Sequence, residues 1–269
     1  MCGGELDGAA LALGERRFLR CGRCGLRVLD PAPVAPELEG EYGADYPPFA
    51  LAARSPGIVT RFRRAWYTAR KERWIRGLRF KSVLDVGCGT GEFLVQLRRR
   101  GIEVHGLEPS GFAAGYATSL GLDVFQGGVA EYRPGQKFEL ITLWNVIEHL
   151  PNPVGDLSRL RDLLAPDGTI VILTPNIGSH QAHAFGRDWA GLEVPRHLQL
   201  FDASSMRALA AKTGLSQRAV RPARIDHVYL GLASWAGARD RRGLLGAAPL
   251  APAVFAGDDS MLIVWLRRA

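Results

Sequence analysis

Short apolar runs in the middle of the chain predict buried β-strands that alternate with helices. Each run is four to seven residues long and ends at glycine, at proline, or at an acidic or amide residue. Strand and helix following one another with short breaks are typical of a doubly wound α/β sheet. The predicted strands are 83–86, 104–107, 138–144 and 169–174, with two further strands at 215–230 and 261–268.

The break after the first of these strands has the form G-x-G-x-G, with glycines at 87, 89 and 91, and a helix begins near Glu92. Glycines let the backbone bend sharply and approach a ligand closely. Glu108 ends the second strand, where an acid can accept hydrogen bonds from both hydroxyls of a ribose. The pattern predicts a nucleoside site, and Asp85 suits a ligand with an amino-bearing or cationic tail. A tight turn in some other α/β enzyme is the alternative.

The run Asp85–Gly91 resembles the first motif of class I S-adenosylmethionine-dependent methyltransferases, and Asn145–Pro153 resembles their vhEHl-x-x-P signature. The resemblance implies a Rossmann-like, seven-stranded, mostly parallel sheet with an antiparallel last strand, and S-adenosylmethionine as cofactor. The cofactor-binding residues it implies are Asp85, Gly87, Cys88, Gly89, Gly91, Glu108, Pro109, Ser110, Val129, Ala130 and Asn145.

Histidines on the acceptor side are the candidates for chemistry. His149 follows the strand at the mouth of the site and is the first candidate for a general base, and His180, His183 and His197 of the lid are the other candidates. The alternative roles are that His149 orients its loop and that His197 caps the helix or bonds to backbone. Residues 175–202 are interpreted as a substrate lid. The candidate acceptor contacts are Tyr46, His180, His183 and Trp189.

Three cysteines near the start predict a small metal site. Cys21-Gly-Arg-Cys24 is typical of a zinc knuckle, and Cys2 offers a third thiolate. Residues 24–33 resemble the CGLvfldPrP phrase of a methyltransferase subfamily with an N-terminal zinc-ribbon-like segment, found in glycan and secondary-metabolite pathways. That subfamily has a fourth cysteine, which would lie before Met1 here. Structural zinc and a degenerate ribbon both remain open.

Three regions are expected: a zinc-ribbon-like segment at 1–33, a linker and basic helix at 34–81, and the cofactor domain at 82–269. The net charge of +7 is concentrated in 61–81. That charge favours a solvated helix, an anionic acceptor or peripheral membrane contact, and nucleic acid is not expected. A cytoplasmic location is the default expectation, and the oligomeric state is left open.

The leading interpretation is methyl transfer from S-adenosylmethionine to a small-molecule or sugar acceptor, at oxygen. C-methylation of a nucleotide-sugar and O-methylation of a quinone are the enzymatic alternatives. A methyltransferase-like fold that acts as a non-catalytic binding or scaffold protein is the alternative from another class.

Overall fold

The computed structural model describes residues 2–34, 58–255, 257 and 259–269. Within them the strands are β1 (Leu6–Leu13), β2 (Arg16–Cys21), β3 (Arg27–Asp30), β4 (Ser82–Val86), β5 (Glu103–Glu108), β6 (Asp123–Gln126), β7 (Phe138–Trp144), β8 (Leu164–Pro175), β9 (Gln199–Leu200), β10 (Leu215–Pro222) and β11 (Met261–Arg268). The α-helices are α1 (Ile58–Ile75), α2 (Glu92–Arg99), α3 (Gly111–Ser119), α4 (Pro153–Leu163), α5 (His180–Phe185), α6 (Ala203–Lys212) and α7 (Arg224–Ala247).

A seven-stranded sheet in the order β10-β11-β8-β7-β4-β5-β6 is the centre of the fold. Strands β4 to β8 run parallel, whereas β11 is antiparallel to both of its neighbours. The predicted doubly wound sheet with an antiparallel last strand is therefore confirmed. Because parallel strands end at one edge of the sheet, Asp85, Glu108 and Asn145 lie along the same edge.

Apolar side chains cover both faces of this sheet, which is why its central strands are almost continuously apolar. Successive residues of a strand point to opposite faces, so Val83 packs in one core and Leu84 in the other. Helix α2 covers the first face, and helices α4 and α6 cover the second. The helical contacts are Phe93, Leu94 and Leu97 on one side, and Leu157, Leu160, Met206 and Leu209 on the other.

The N-terminal segment forms a second, antiparallel sheet that a distant strand completes. Its order is β1-β2-β3-β9, and β9 belongs to the predicted lid. The Leu29 amide also donates to the Leu198 carbonyl at 2.9 Å. A third core joins Phe18 and Leu29 to Phe185 and other lid residues. The segment predicted to be zinc-ribbon-like, over 1–33, thus packs against the lid.

Two predicted elements near the C-terminus have different bounds in the structure. The strand expected over 215–230 ends at Pro222, and α7 begins two residues later. Buried positions at Ser234 and Ala238 lie four residues apart, the spacing of one helical face. Over 230–255, where a helical hairpin is expected, α7 is interrupted at Gly243, whose φ of 73° and ψ of 171° are not helical, and a 3₁₀ segment over Ala248–Val254 follows.

Tyr46 and the rest of residues 35–57 lie outside the described residues. Among the described helices, none is both long enough and apolar enough to cross a membrane.

Replacing Gly91 by alanine should destabilise the fold more than the same change at Gly101. Both have positive φ, at 80° and 77°, so both variants carry the backbone strain of a left-handed alanine. Only at Gly91 would the new Cβ collide, at 2.4 Å from Leu122 Cδ1. We expect an extra loss of about 1–3 kcal/mol in the free energy of unfolding for Gly91→Ala, measured by urea titration. Equal losses in the two variants would contradict the close packing of this turn.

Candidate active site

The glycine turn after β4 is held against the end of β5 by backbone hydrogen bonds. The amides of Gly87 and Cys88 both donate to the Leu107 carbonyl, at 2.7 and 3.2 Å. Gly87 has φ +66°, and a Cβ there would lie 2.6 Å from Val146 Cγ2. The turn therefore needs glycine at this position on grounds of both conformation and space.

Glu108 links this turn to the start of the next helix. Its Oε2 accepts a hydrogen bond from the Gly89 amide at 2.8 Å, and its Oε1 accepts one from the Ser110 amide at 2.9 Å. The side chain is buried, and burial raises the pKa of its carboxyl. A carboxylate has about four acceptor positions, so two remain for a ligand. Pro109, between these contacts, is exposed.

Asp85 lies beneath the turn as a fully buried acid. Its Oδ1 accepts a hydrogen bond from Thr142 Oγ1 at 2.6 Å, and its Oδ2 has no hydrogen-bond partner among the described residues. Burial raises the pKa of this carboxyl, and the nearby cation of Lys71 opposes that shift. Such a group is costly to bury unless a cation or a donor faces it.

Lys71 is a site residue that the sequence analysis counted only as part of a basic helix. It is buried on α1, with Nζ 5.2 Å from the Phe93 ring centroid and 5.7 Å from that of Trp144. These distances are those of cation–π contacts. The signal available in the sequence was its spacing, because Lys71 lies four residues before the apolar Ile75 and seven before the apolar Leu78.

The other predicted cofactor residues lie on neighbouring segments. Asn145 follows β7 with φ +55°, and its buried Oδ1 has no hydrogen-bond partner among the described residues. Cys88 is buried, and burial raises the pKa of its thiol. The carbonyl of Val129 accepts from Arg159 Nε at 3.1 Å, and that of Ala130 accepts from Arg133. Gly89 and Gly91 complete the turn.

His149 and His197 are brought together, as edge-to-face rings with centroids 4.7 Å apart. His149 Nδ1 lies 2.9 Å from the Arg196 carbonyl oxygen, and His197 Nδ1 lies 2.8 Å from that of Gly191. Burial lowers the pKa of His149 to about 3 and that of His197 to about 4. Both rings are therefore neutral near pH 7.

Glu148 lies beside the two rings and was not singled out from the sequence. It is fully buried, and its Oε2 accepts from Thr174 Oγ1 at 3.0 Å. Burial raises the pKa of its carboxyl to about 8. Its carbonyl also accepts from the Leu198 amide at 2.9 Å, which ties the loop after β7 to the lid.

Comparison with known proteins identifies the family. Residues 58–220 match the profile described as "Methyltransferase domain", which is more than half of the chain. The chain belongs to the methyltransferase-domain family. The prediction of a class I methyltransferase is confirmed by this match and by the fold, whereas the zinc-ribbon subfamily stays a prediction.

Curated relatives of this methyltransferase carry names that specify oxygen. One is the ubiquinone biosynthesis O-methyltransferase of Aeromonas salmonicida (strain A449), 33% identical over 108 residues, covering 37% of this chain and 45% of that protein. The protein of the same name from Actinobacillus pleuropneumoniae serotype 5b (strain L20) is 35% identical over 112 residues, covering 37% and 48%. The chain spans about half the length of the curated relatives that it matches.

Solved structures share the fold at low sequence identity. The plantazolicin methyltransferase BpumL in complex with SAH has a TM-score of 0.54 and 16% identity, covering 86% of this chain and 93% of that one. The [4+2]-cyclase SpnF has a TM-score of 0.59 and 17% identity, covering 88% and 98%. At this level of identity the likeness concerns the fold alone, and the fold hosts more than one kind of reaction.

The predicted acceptor contacts of this methyltransferase domain differ in burial. His180 is exposed and its Nδ1 lies 3.3 Å from Asp259 Oδ2. His183 is exposed, with Nδ1 2.7 Å from the Ser179 carbonyl oxygen. Trp189 is buried in the core that joins the lid to the N-terminal sheet. Their roles in binding stay predictions.

A cavity of about 350 Å³ lies between the lid, β1 and α7. Trp189 lines it, together with Arg187, Glu193 and Arg241. Glu193 Oε2 is also 3.7 Å from His197 Nε2, so the cavity wall reaches the histidine pair. Apolar surface with a few charged groups is the usual lining of a small-molecule site.

The three N-terminal cysteines also come together. Cys2 Sγ and Cys21 Sγ are 3.3 Å apart, and one sulfur from each of Cys2, Cys21 and Cys24 lies within 4.8 Å of the others. The Gly4 amide lowers the pKa of Cys2, whereas burial raises that of Cys24. Three convergent sulfurs fit zinc, which takes four ligands; the described residues contribute only these three to the cluster.

Thr142→Val should destabilise the methyltransferase by about 1–3 kcal/mol, because it removes the hydroxyl that donates to the buried Asp85 carboxyl while keeping the side-chain shape. The matched control is Thr118→Val on the exposed surface of α3, where we expect a change within about 0.5 kcal/mol. Urea titration of both variants measures the difference. A Thr142 variant as stable as the control would argue against a stabilising hydrogen bond from Thr142 to Asp85.

Proposed function

We propose that this methyltransferase domain binds S-adenosylmethionine at the carboxyl edge of its sheet and transfers the methyl group to a hydroxyl oxygen of a small-molecule or sugar acceptor. The observation that carries the proposal is the double backbone contact of Glu108, with Gly89 and Ser110. It fixes a carboxylate with two remaining acceptor positions at the strand end where a ribose binds in such sheets.

The methionine tail of the cofactor would lie over the glycine turn. Lys71 is the cation that would pair with the tail carboxylate. It lies against Phe93 and Trp144 and interacts electrostatically with Asp85. Asp85 and the unpartnered Oδ1 of Asn145 would face amino and hydroxyl donors of the ligand. Pro109, Ser110, Val129 and Ala130 flank the nucleoside in this arrangement, and Cys88 fills the turn.

Transfer from a sulfonium is an in-line displacement in which the methyl group is already activated. The protein therefore has to position the acceptor oxygen, exclude water and assist loss of the hydroxyl proton. His149 and His197 lie where the loop after β7 meets the lid, which supports a role for them on the acceptor side. The O-methyltransferase names of the curated relatives support oxygen as the acceptor atom.

The lining of the cavity beside Glu193 supports an acceptor class. Arg187 at its wall favours an acceptor with an anionic group, whereas Arg241 Nε is paired with Asp188 Oδ1 at 2.6 Å, and Trp189 offers an apolar floor. A sugar carrying phosphate and a quinone precursor carrying carboxylate both fit this description. We further expect the protein to act in the cytoplasm.

A different reaction on the same fold is the second candidate, since the structural neighbour SpnF is described as a [4+2]-cyclase. A non-catalytic binding role is the third. Neither of these candidates transfers a methyl group, with or without bound cofactor. The transfer of a labelled methyl group therefore separates them from the proposal.

Glu108→Gln should weaken binding of S-adenosylhomocysteine at least about tenfold, because an amide has one oxygen where the backbone contacts use two. The matched control is Glu103→Gln at the opposite end of β5, which should bind normally. Isothermal titration calorimetry measures both. No binding by the unmodified chain at millimolar ligand would sink the cofactor assignment, and equal affinities of the two variants would sink the role of Glu108.

We also propose that Cys2, Cys21 and Cys24 hold a structural zinc ion, with a solvent molecule or another ligand as the fourth. Cys21→Ser and Cys24→Ser should each lower the zinc content of purified protein, measured by elemental analysis, to a small fraction of the unmodified level. Cys88→Ser is the control, since that thiol belongs to the glycine turn and should leave zinc content unchanged. Zinc-free unmodified protein with reduced, reactive thiols would contradict the proposal.

A further inference from the structure

A second group of metal-ligating side chains lies on the acceptor side of the domain. One ligating atom from each of Glu148, His149 and His197 lies within 4.8 Å of the other two. Glu148 and His149 come from the short 3₁₀ turn over Ile147–His149, and His197 comes from the lid two residues before β9. Two segments of the chain thus converge through a hydrogen bond between the Leu198 amide and the Glu148 carbonyl.

The backbone sets the tautomer of both rings. The carbonyl oxygens of Arg196 and Gly191 can only accept, so the proton of each neutral imidazole is on Nδ1. Each Nε2 therefore carries the lone pair. An Nδ1–H held by a carbonyl, with Nε2 left as the donor atom, is the usual arrangement of histidines that ligate metals.

Glu148 supplies an independent sign of a missing partner. It is fully buried, Thr174 satisfies its Oε2, and its Oε1 has no hydrogen-bond partner among the described residues. A buried carboxylate oxygen without a partner is unfavourable and calls for an explanation such as a bound ion. Glu193 adds a second carboxylate, 3.7 Å from His197 Nε2 and open to solvent.

We propose that Glu148, His149 and His197 bind one divalent transition-metal ion, with Glu193 at its solvent side. Two imidazoles and a carboxylate suit Zn²⁺, Mn²⁺ or Fe²⁺ rather than Ca²⁺ or Mg²⁺, which prefer sites made of oxygen alone. Three protein ligands leave a position for a further oxygen ligand. The site is separate from the cysteine cluster, whose ligands are all sulfur.

The role of this ion in catalysis rests on the proposed methyl transfer. A hydroxyl of the acceptor that joins the ion has a lowered pKa and loses its proton near neutral pH. The proton passes to the Glu193 carboxylate and on to solvent. The oxygen then forms its bond to the methyl carbon as the carbon–sulfur bond breaks, and the sulfur leaves as a neutral thioether.

Cobalt titration of the full chain tests the site. The protein is stripped with a chelator and loaded with one equivalent of Zn²⁺, which the cysteine cluster takes up; Co²⁺ is then added and followed by absorption spectroscopy. We expect a further equivalent of Co²⁺ to bind, with ligand-field bands and no thiolate charge-transfer band. Cys21→Ser, stripped in the same way and titrated with Co²⁺ without the Zn²⁺ preload, should show the same spectrum, so loading of the cysteine cluster does not decide the result.

Glu148→Gln and His197→Gln should each weaken this second binding event about tenfold or more. His105→Gln, at the other edge of the sheet, should leave it unchanged, and circular dichroism checks that every variant is folded. Absence of Co²⁺ binding outside the cysteines in folded protein would overturn the site, and so would affinities that neither substitution alters.

Activity separates this inference from the proposed function. Methyl transfer that persists unchanged in chelated protein would overturn the catalytic role of the ion while leaving the proposed function intact. Loss of transfer on chelation and its recovery on adding Zn²⁺ or Mn²⁺, without a change in S-adenosylhomocysteine affinity, is the expected result. Co²⁺ bound by Glu148 and the histidines in a protein that binds no S-adenosylhomocysteine would support the site and contradict the proposed function.

Discussion

The rest of the site depends on the hydrogen bonds that the Glu108 carboxylate accepts. It accepts from one backbone amide in the glycine turn and from another at the start of α3, so one buried side chain fixes two loops from adjacent strands. Backbone amides in a tight turn have few intrinsic partners, and burying them unpaired is costly. The acid thus accepts hydrogen bonds from amides that would otherwise be unpaired. These same hydrogen bonds hold the carboxylate in a fixed orientation at the sheet edge.

The same logic extends along that edge, where buried polar groups are matched by a small number of partners. Asp85 relies on Thr142 and on the nearby charge of Lys71, and Glu148 relies on Thr174. Each acid retains one oxygen without a hydrogen-bond partner in the described part of the chain. Apolar residues at these positions would leave no buried oxygen unpaired. The presence of both acids at a single edge therefore indicates a role in ligand binding rather than in stability.

The sequence predicted the glycine turn, the two acids at the strand ends and the parallel sheet, because these depend on local patterns. Hydrophobic runs and the residues at their ends were enough to predict Gly87, Glu108 and the strand at 138–144. The roles of Lys71 and Glu148 were missed, because their surroundings are built by helices and loops that only the tertiary fold brings together. The strand expected to reach residue 230 stops at Pro222, because the buried residues that follow have the spacing of a helical face. That spacing is hard to recognise in a run where apolar and basic residues are mixed.

The pairing of β3 with β9 also bears on how the chain assembles as it leaves the ribosome. Val28 is aligned with Gln199, so about 170 residues must be synthesised before the first sheet acquires its last strand. Until then β3 presents an open edge, which is a template for pairing with the wrong chain. Contacts between such distant positions form slowly, since a long loop has to close first. A zinc ion on the cysteines would hold the first three strands in register during that interval, which gives the N-terminal cluster a use before the enzyme is complete.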